Sequence, residues 1–208
     1  MTENSGLTNI KFKFNDKLLI YEIEQWWNKV PRLQAELSKF PEHYYNVIKD
    51  MTQISEDEKY PDIRLTAATF ETKRFLDHYS LTDAEVRPRY YVLNQDGCIS
   101  PHIDLTTLCS INNVLTNPKT PIHLGDRSYN IRTEANEAEE TIKHMEETNT
   151  TKEVLTPYSY KTAALDTTRI HMVDNKGHSV RLLFKISFFD ISYRELVRHI
   201  REIDEQVL

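Results

Sequence analysis

The stretch HSVRLLFKISFFDI, residues 178–191, has the alternating side-chain pattern of a β-strand. One alternate set is wholly apolar and comprises Leu182, Phe184, Ile186 and Phe188. The other set comprises Arg181, Leu183, Lys185 and Ser187. Successive side chains of a strand point to opposite faces, so the apolar set needs a cover. We therefore expect helices over one face, while the other face looks into a barrel with Arg181 buried near one end.

Further short strands are predicted around this stretch, because aromatic and β-branched runs alternate with turn residues. They are RPRYYVL (87–93), CISPHIDLTTLCSINNVL (98–115, two strands with a bend near Thr106), PIHLGDRSYNI (121–131, with a tight turn at Gly125-Asp126), YSYKTAAL (158–165) and IHMVDN (170–175). Many short strands with turns at close intervals favour a β-sandwich or a jelly roll.

Helices are predicted at both ends of the chain and in one insertion between strands. Those near the start are 16–30, two short proline-led helices at 31–40 and 41–51, and 64–81, after an edge strand at 9–14. The acidic run 134–153 is read as a solvated helix, and a closing amphipathic helix follows Ser192, a plausible N-cap. The expected single domain has an N-terminal helical region (1–86), a core (87–191) with a helical insertion (134–153), and a C-terminal helix (192–208).

Composition excludes several functional classes. The chain has 208 residues, a net charge of −6 and only four glycines, and it contains neither GxGxxG nor GxxxxGK[ST]. A phosphate-cradling glycine loop and a broad basic surface for nucleic acid are therefore not expected. The first residues are polar, and no run approaches the ~18 apolar residues of a membrane span. We expect a cytoplasmic protein with no nucleic-acid or membrane partner.

The segment PHID, residues 101–104, suggests a metal site. Side chains at i and i+2 of a strand point the same way, so His102 and Asp104 can bind one ion together. An imidazole nitrogen and a carboxylate oxygen suit a divalent transition metal. A further histidine would complete the facial triad of non-haem iron(II) oxygenases, which leaves positions open for a cosubstrate and O2.

The candidates for the third ligand are His123, His144, His171, His178 and His199. The acidic run and the closing helix are poor places for a ligand, which disfavours His144 and His199. His171 begins a strand ten residues before Arg181, and a hairpin through 174–178 would bring these two residues side by side.

A buried arginine beside an open metal site needs an anion, which a dicarboxylate cosubstrate would supply by bidentate pairing. This favours His171 as the third ligand. His178 is the main competitor, although only three residues separate it from Arg181. His123 is interpreted as a strand residue near the pocket.

The order HxD, a distant histidine and an arginine ten residues later resembles the 2-oxoglutarate/iron(II)-dependent dioxygenases. The segments PHIDL, ALDTTRIHMVDN and RLLFKISFFDISYREL resemble most closely the aspartyl/asparaginyl β-hydroxylase-like branch, which includes free-proline hydroxylases. The resemblance covers roughly residues 87–196. It implies a mainly β, α+β fold with a double-stranded β-helix core, also described as jelly-roll or cupin-like.

The resemblance also implies roles for individual residues. His102, Asp104 and His171 would hold Fe(II) as the catalytic centre, and Arg181 would bind the distal carboxylate of 2-oxoglutarate. One feature departs from the branch, because its basic or His-rich segment after the first ligand is replaced here by LCSINNVL (108–115). The contact for the other carboxylate is left open among four residues: Tyr91, Ser110, Asn112 and Asn113.

The activity that the resemblance implies is hydroxylation with O2, with release of succinate and CO2. The substrate would be a small polar, amino acid-like molecule or a residue of a peptide or protein. Two alternatives are a non-catalytic cupin-like module for a metal or small anion, and a cupin-type lyase or isomerase. Neither alternative requires Arg181. A homodimer and a monomer are equally compatible with the sequence.

Overall fold

The computed structural model describes residues 5–27, 29, 50–56, 62–116, 118–148 and 154–206. The strands within these ranges are β1 (Leu7–Asn9), β2 (Met51–Ile54), β3 (Val86–Leu93), β4 (Cys98–His102), β5 (Cys109–Val114), β6 (Ile122–Ser128), β7 (Thr156–Tyr158), β8 (Thr162–Leu165), β9 (Arg169–Asp174) and β10 (Arg181–Phe188). The helices are α1 (Asp16–Trp27), α2 (Thr66–His78), α3 (Ala135–Thr148) and α4 (Tyr193–Gln206). Apart from residues 50 and 51, the two proline-led helices predicted for 31–51 lie outside the described residues.

The strands form two antiparallel sheets. One has the order β1-β8-β5-β10-β3-β2 and the other has the order β4-β9-β6-β7. Apolar side chains from both sheets form one buried cluster, which includes Leu93 and Val114 of the first sheet and Leu124 and Val173 of the second. The predicted mainly β sandwich of antiparallel sheets with covering helices is confirmed.

The alternation along β10 is confirmed. Phe184, Ile186 and Phe188 are fully buried in a second cluster. This cluster takes side chains from three helices, among them Leu19 and Ile23 of α1, Ala68 and Phe75 of α2, and Leu196 and Ile200 of α4. The helices α1 and α2 cover this face as expected, and the C-terminal helix α4 covers part of it as well. Arg181, on the opposite face, is only 3% exposed.

The hairpin predicted between β9 and β10 is wrong. The two strands belong to different sheets, so the turn after Asp174 carries the chain from one layer to the other. His171 and Arg181 nevertheless line one cavity, because they face each other across the space between the sheets.

Two local predictions are also wrong. Gly125 and Asp126 lie inside β6 and not in a tight turn, although the pairing with β9 shifts register there. The Arg169 Nη1 donates to both of their carbonyl oxygens, at 3.1 and 3.0 Å, which holds this stretch extended. Of the residues 9–14 predicted as a strand, only Asn9 belongs to one, at the end of β1. Beyond it, Phe12 and Phe14 pack against Phe75.

The N-cap predicted at Ser192 is confirmed. The Glu195 N–H donates to Ser192 Oγ at 3.4 Å, and the Ser192 N–H donates to Glu195 Oε2 at 3.0 Å. This reciprocal capping box satisfies backbone donors at the start of α4. The division of the chain at residue 86 stays a prediction, since β1 and β2 lie before that point and pair with β8 and β3.

Within the described ranges, no helix is both long enough and apolar enough to cross a membrane.

Candidate metal centre

Two neighbouring strands bring the predicted ligands together. His102 at the end of β4 and His171 in β9 are paired directly across the strands, with ring centroids 4.2 Å apart. Asp104 lies two residues beyond the end of β4, where its N–H donates to the Thr167 carbonyl oxygen at 3.0 Å. One ligand atom from each of the three residues lies within 4.8 Å of the others. The i, i+2 spacing thus places both first ligands on one side, although Asp104 is in a loop.

Hydrogen bonds to the backbone orient both imidazoles. His102 Nδ1 lies 2.8 Å from the Ser100 carbonyl oxygen, and His171 Nδ1 lies 2.8 Å from the Arg169 carbonyl oxygen. A carbonyl oxygen only accepts, so each Nδ1 carries the proton and each Nε2 presents a lone pair. Outer hydrogen bonds of this kind fix the tautomer of metal-binding histidines.

The electrostatic environment favours the protonation states that a metal needs. Burial, reinforced by the neighbouring His102, lowers the pKa of His171 to about 3. Burial also lowers the pKa of His102. Burial alone would raise the pKa of Asp104, but attraction to Lys185 and to the imidazoles outweighs it and lowers that pKa to about 2. At neutral pH the group therefore comprises two neutral imidazoles and a carboxylate.

Metal affinity is expected to depend little on pH between 7.5 and 5.5. A protonated imidazole cannot bind a metal, and a lowered pKa moves this competition to lower pH. Two histidines with a pKa near 6.5 would lose about 100-fold in affinity over this interval, whereas we expect less than about 5-fold here. Calorimetric titration of the apo-protein with Co(II) at both pH values measures the change. A 100-fold loss would contradict this description of the centre.

Lys185 is a member of the site that the sequence analysis missed. Its ammonium group is buried and lies 2.7 Å from Asp104 Oδ2, while the Tyr91 ring centroid lies 5.8 Å away. The pair leaves Asp104 Oδ1 facing His102 Nε2 at 3.8 Å. The signal was present in the sequence, because Lys185 shares the inward parity of Arg181 on β10.

Lys185→Met is expected to lower the free energy of unfolding of the apo-protein by about 2 kcal/mol, because it leaves a largely buried carboxylate without its cation. Added Mn(II) should recover most of this loss, since the metal supplies the missing positive charge. Denaturant unfolding with and without Mn(II) measures both effects.

Lys161→Met is the matched control, because Lys161 forms an equally short pair with Asp16 that is much more exposed. We expect it to cost less than about 1 kcal/mol and to be insensitive to metal. Equal losses in the two variants would show that Lys185 has no special relation to Asp104.

A cavity of about 90 Å³ adjoins the three ligands. Its lining includes Tyr91, Asn112, Tyr160, Arg181 and Lys185 as well as His102, Asp104 and His171. The apolar part of the wall comes from Met51, Leu93, Ile99, Ile122, Leu165, Val173 and Leu183. Of the predicted cosubstrate residues, Arg181, Tyr91 and Asn112 therefore share one cavity with the predicted metal ligands.

Arg181 is the buried cation of this cavity. The atoms Nε and Nη1 are buried and have no hydrogen-bond partner among the described residues. The nearest ring is that of Tyr160, whose centroid lies 5.9 Å from Cζ. A buried guanidinium that lacks an acceptor is costly, so the position is suited to an anion.

The side chains of the four residues considered for the second cosubstrate contact point in different directions. Tyr91 and Asn112 line the cavity. Asn112 Nδ2 donates to Tyr160 Oη at 3.3 Å, and its Oδ1 accepts from Ser110 Oγ at 3.0 Å. Asn113 points to the other face of β5, where Nδ2 donates to Asp16 Oδ1 at 2.9 Å. The geometry thus removes Asn113 from the set.

The competing histidines lie elsewhere. His123 alternates along β6 with the inward-facing Ile122 and Leu124, which places its side chain on the outer face. His178 follows β9 in a turn in which its N–H donates to the Asn175 carbonyl oxygen at 3.0 Å. Neither residue belongs to the ligand cluster.

The acidic helix α3 supports the ligand strands from behind. Ile103, between the two first ligands, and Ile170, just before His171, are buried in a cluster with Ala138 and Met145 of α3. The alternation along β4 and β9 sends the ligands inward and these isoleucines outward. The excursion between strands is therefore packed against the site on one face, whereas the sequence suggested a solvated helix.

Comparisons with known proteins find the fold but no sequence relative. No family model matches the chain, and no curated protein matches it in sequence. Among solved structures, AviO1 from Streptomyces viridochromogenes Tue57 shares 13% identity, with 89% of this chain and 90% of that chain covered and a TM-score of 0.50. At this identity, the likeness concerns the fold alone.

Two prolyl hydroxylases are also similar in structure. A prolyl-4-hydroxylase from Pseudomonas putida shares 10% identity, covers 90% of this chain and 94% of its own, and has a TM-score of 0.48. A prolyl hydroxylase from Trichoplax adhaerens, solved with a hypoxia inducible factor peptide fragment, shares 13% identity, with coverages of 93% and 88% and a TM-score of 0.48. Membership of the aspartyl/asparaginyl β-hydroxylase-like branch stays a prediction.

Proposed function

We propose that the protein is a 2-oxoglutarate- and Fe(II)-dependent oxygenase that hydroxylates a small polar, amino acid-like substrate or a residue of a peptide or protein. The observation that carries this proposal is the buried guanidinium of Arg181, whose Nε and Nη1 have no partner among the described residues, in the same cavity as the His102, Asp104 and His171 cluster. We also propose that the two sheets form a double-stranded β-helix. The sheet orders and the apolar cluster between the sheets support that assignment.

The donor set fits iron(II). Two imidazole nitrogens and one carboxylate oxygen on one side of an ion match the facial triad, which leaves positions open for other ligands. His102 and His171 would bind through Nε2, since each Nδ1 is engaged with a carbonyl oxygen. Asp104 would bind through Oδ1, because Lys185 engages Oδ2.

The cavity fits 2-oxoglutarate. The distal carboxylate would pair with Arg181, whose planar guanidinium can donate two parallel hydrogen bonds and has nitrogens without a partner among the described residues. Tyr91 and Asn112 are the candidates for hydrogen bonds to the rest of the cosubstrate, because they line the same cavity. The apolar wall, with Leu93, Val173 and Leu183, would keep water away from this ion pair and so strengthen it.

The chemistry divides between the bound groups and the chain. Iron(II), 2-oxoglutarate and O2 supply the oxidising power for hydroxylation of a C–H bond, with succinate and CO2 as co-products. The chain's own residues hold and orient these groups. Lys185 fixes the carboxylate of Asp104, the backbone carbonyls fix the imidazoles, and the packing of Ile103 and Ile170 on α3 fixes both strands.

The alternative functions explain less of the site. A cupin-like metal module, or a cupin-type lyase or isomerase, would use the His-Asp-His cluster but would not explain why the guanidinium of Arg181 is buried in the same cavity. A cytoplasmic location and a homodimer stay predictions.

The test of the function is conversion of 2-oxoglutarate to succinate, followed by NMR. We expect conversion that requires both Fe(II) and O2 and that Asp104→Ala abolishes. Amino acids and peptides that accelerate the conversion would then identify the substrate class. A protein that binds metal but forms no succinate with any of them would support the cupin-like alternatives and contradict the proposal.

A further inference from the structure

A second arginine lies beside the metal centre. Strands β3 and β10 pair so that Arg89 is directly opposite Lys185. Paired residues of neighbouring strands point to the same face, so Arg89 faces the interior next to the cation that holds Asp104. The two cations are therefore close enough to interact.

Arg89 lacks an acceptor of its own. Its Nε is buried and has no hydrogen-bond partner in the part of the chain that the structure describes. Arg89 is half-buried, and together with Arg87, which shares its parity on β3, it lines a groove of about 960 Å³. Arg89 thus lies between the metal cavity and an open groove, and a ligand can reach it from outside.

The acidic groups of the groove are already engaged. Asp77 pairs with Lys73 at 2.7 Å, and the Glu56 carboxylate accepts from the Leu65 N–H at 2.9 Å. Both carboxylates are held by groups of the helical side of the groove. Of the described groups of the groove, the two carboxylates therefore do not compete for Arg89.

The charge of the loaded site points to an acidic substrate. A divalent metal and the 2-oxoglutarate dianion carry equal and opposite charges, and Asp104 balances only one of Arg181, Lys185 and Arg89. The other two cations leave a surplus of positive charge at the cavity and beside it, where burial of Arg181 and partial burial of Arg89 make uncompensated charge costly. An anionic group on the substrate would provide the compensation.

We propose that Arg89 is the centre of an anion subsite that binds an acidic group of the substrate, a carboxylate or another oxyanion, beside the metal. Arg87, at the groove end of the same strand face, is a second cation for the same ligand. That the occupant is the substrate rests on the proposed oxygenase function, whereas the subsite itself rests only on Arg89 and its surroundings.

Sulfate is a suitable probe, because it is a small oxyanion that does not depend on knowing the substrate. We would follow thermal unfolding of the full chain as sulfate rises to about 20 mM at constant ionic strength. The Arg181→Gln background removes the other unpartnered buried cation. We expect a saturable rise in Tm of about 3 °C at ten times Kd.

Matched variants assign the shift to Arg89. Arg89→Gln in the same background should abolish the rise, Arg89→Lys should keep a smaller rise, and Arg132→Gln, at an exposed arginine, should leave it unchanged. No saturable rise, or an equal rise in the Arg89→Gln variant, would overturn the proposal. If the Arg89→Gln variant does not fold, the comparison of Arg89→Lys with Arg132→Gln decides. A smaller rise in Tm for Arg89→Lys supports the proposal, and equal rises overturn it.

A second titration separates this proposal from the proposed function. Wild-type protein with Mn(II) and saturating 2-oxoglutarate should still show the sulfate shift, since the cosubstrate occupies Arg181 and not Arg89. Loss of the shift would assign Arg89 to the cosubstrate and overturn the substrate subsite. If 2-oxoglutarate itself has no effect while sulfate does, the oxygenase function fails and the anion subsite stands.

Discussion

His171→Ala is expected to lower the affinity of the protein for Mn(II) or Fe(II) by more than about 100-fold and to abolish succinate formation. Loss of hydrogen-bonded partners outside the ligand set already costs 10- to 100-fold in metal sites, so loss of a ligand should cost at least as much. His171 presents Nε2 to the cavity from a buried position that its Nδ1 hydrogen bond holds in place. Calorimetric titration with Mn(II) measures the affinity.

The matched control is His123→Ala, which removes a strand histidine on the outer face of β6 next to β9. It should leave metal affinity and turnover unchanged. Circular dichroism and Tm show whether each variant is folded. A folded His171→Ala protein that binds metal as tightly as the wild type would exclude His171 as a ligand and reopen the choice among the histidines.

Arg181→Met is expected to change stability and cosubstrate affinity in opposite directions. The free energy of unfolding of the apo-protein should rise by about 1–2 kcal/mol, because an unpartnered buried cation gives way to an apolar side chain of similar length. The affinity for 2-oxoglutarate should fall by at least about 100-fold, since the distal carboxylate loses its bidentate partner. Denaturant unfolding and a 2-oxoglutarate titration in the presence of Mn(II) measure the two effects.

Arg181→Lys separates charge from geometry. A lysine keeps the positive charge but not the planar fork, so we expect an intermediate loss of 2-oxoglutarate affinity. If Arg181→Met instead destabilised the apo-protein, the guanidinium would have a structural partner, and its assignment to the cosubstrate would lose its basis.

Much of the site could be predicted from the sequence, because strand periodicity is a local property. The parity of β10 follows from the two-residue repeat of a strand and was predicted correctly. His102 and Asp104 lie on one side as their spacing predicted, but β4 ends at His102 and Asp104 is in the loop beyond it. The parity of β10 also marks Lys185, but its role depends on the contact with Asp104, which the alternation alone does not show.

The pairing of the strands was not predictable in the same way. The turn after Asp174 looks like a hairpin, yet β9 and β10 lie in opposite sheets, so the chain passes there from one layer to the other. Gly125 and Asp126 looked like a turn, yet they stay extended because the distant Arg169 binds their carbonyl oxygens. Both errors come from contacts that are remote in sequence.

The partner of Asp104 and the support behind the ligands depend on such contacts as well. Lys185 is 81 residues from Asp104 along the chain. The buried face of α3 meets Ile103, just beyond the end of β4, and Ile170 of β9. Composition predicted only that α3 is charged and exposed, whereas its few apolar residues determine where it packs.

The central claim is that one cavity binds a divalent metal and 2-oxoglutarate together. The direct measurement is an anaerobic titration of the apo-protein with Fe(II) and then 2-oxoglutarate, followed by visible absorption. We expect the weak charge-transfer band of the chelate to appear on addition of 2-oxoglutarate, to be absent in His171→Ala, and to require much higher 2-oxoglutarate in Arg181→Met. A wild-type protein that binds Fe(II) but never develops the band would contradict the account.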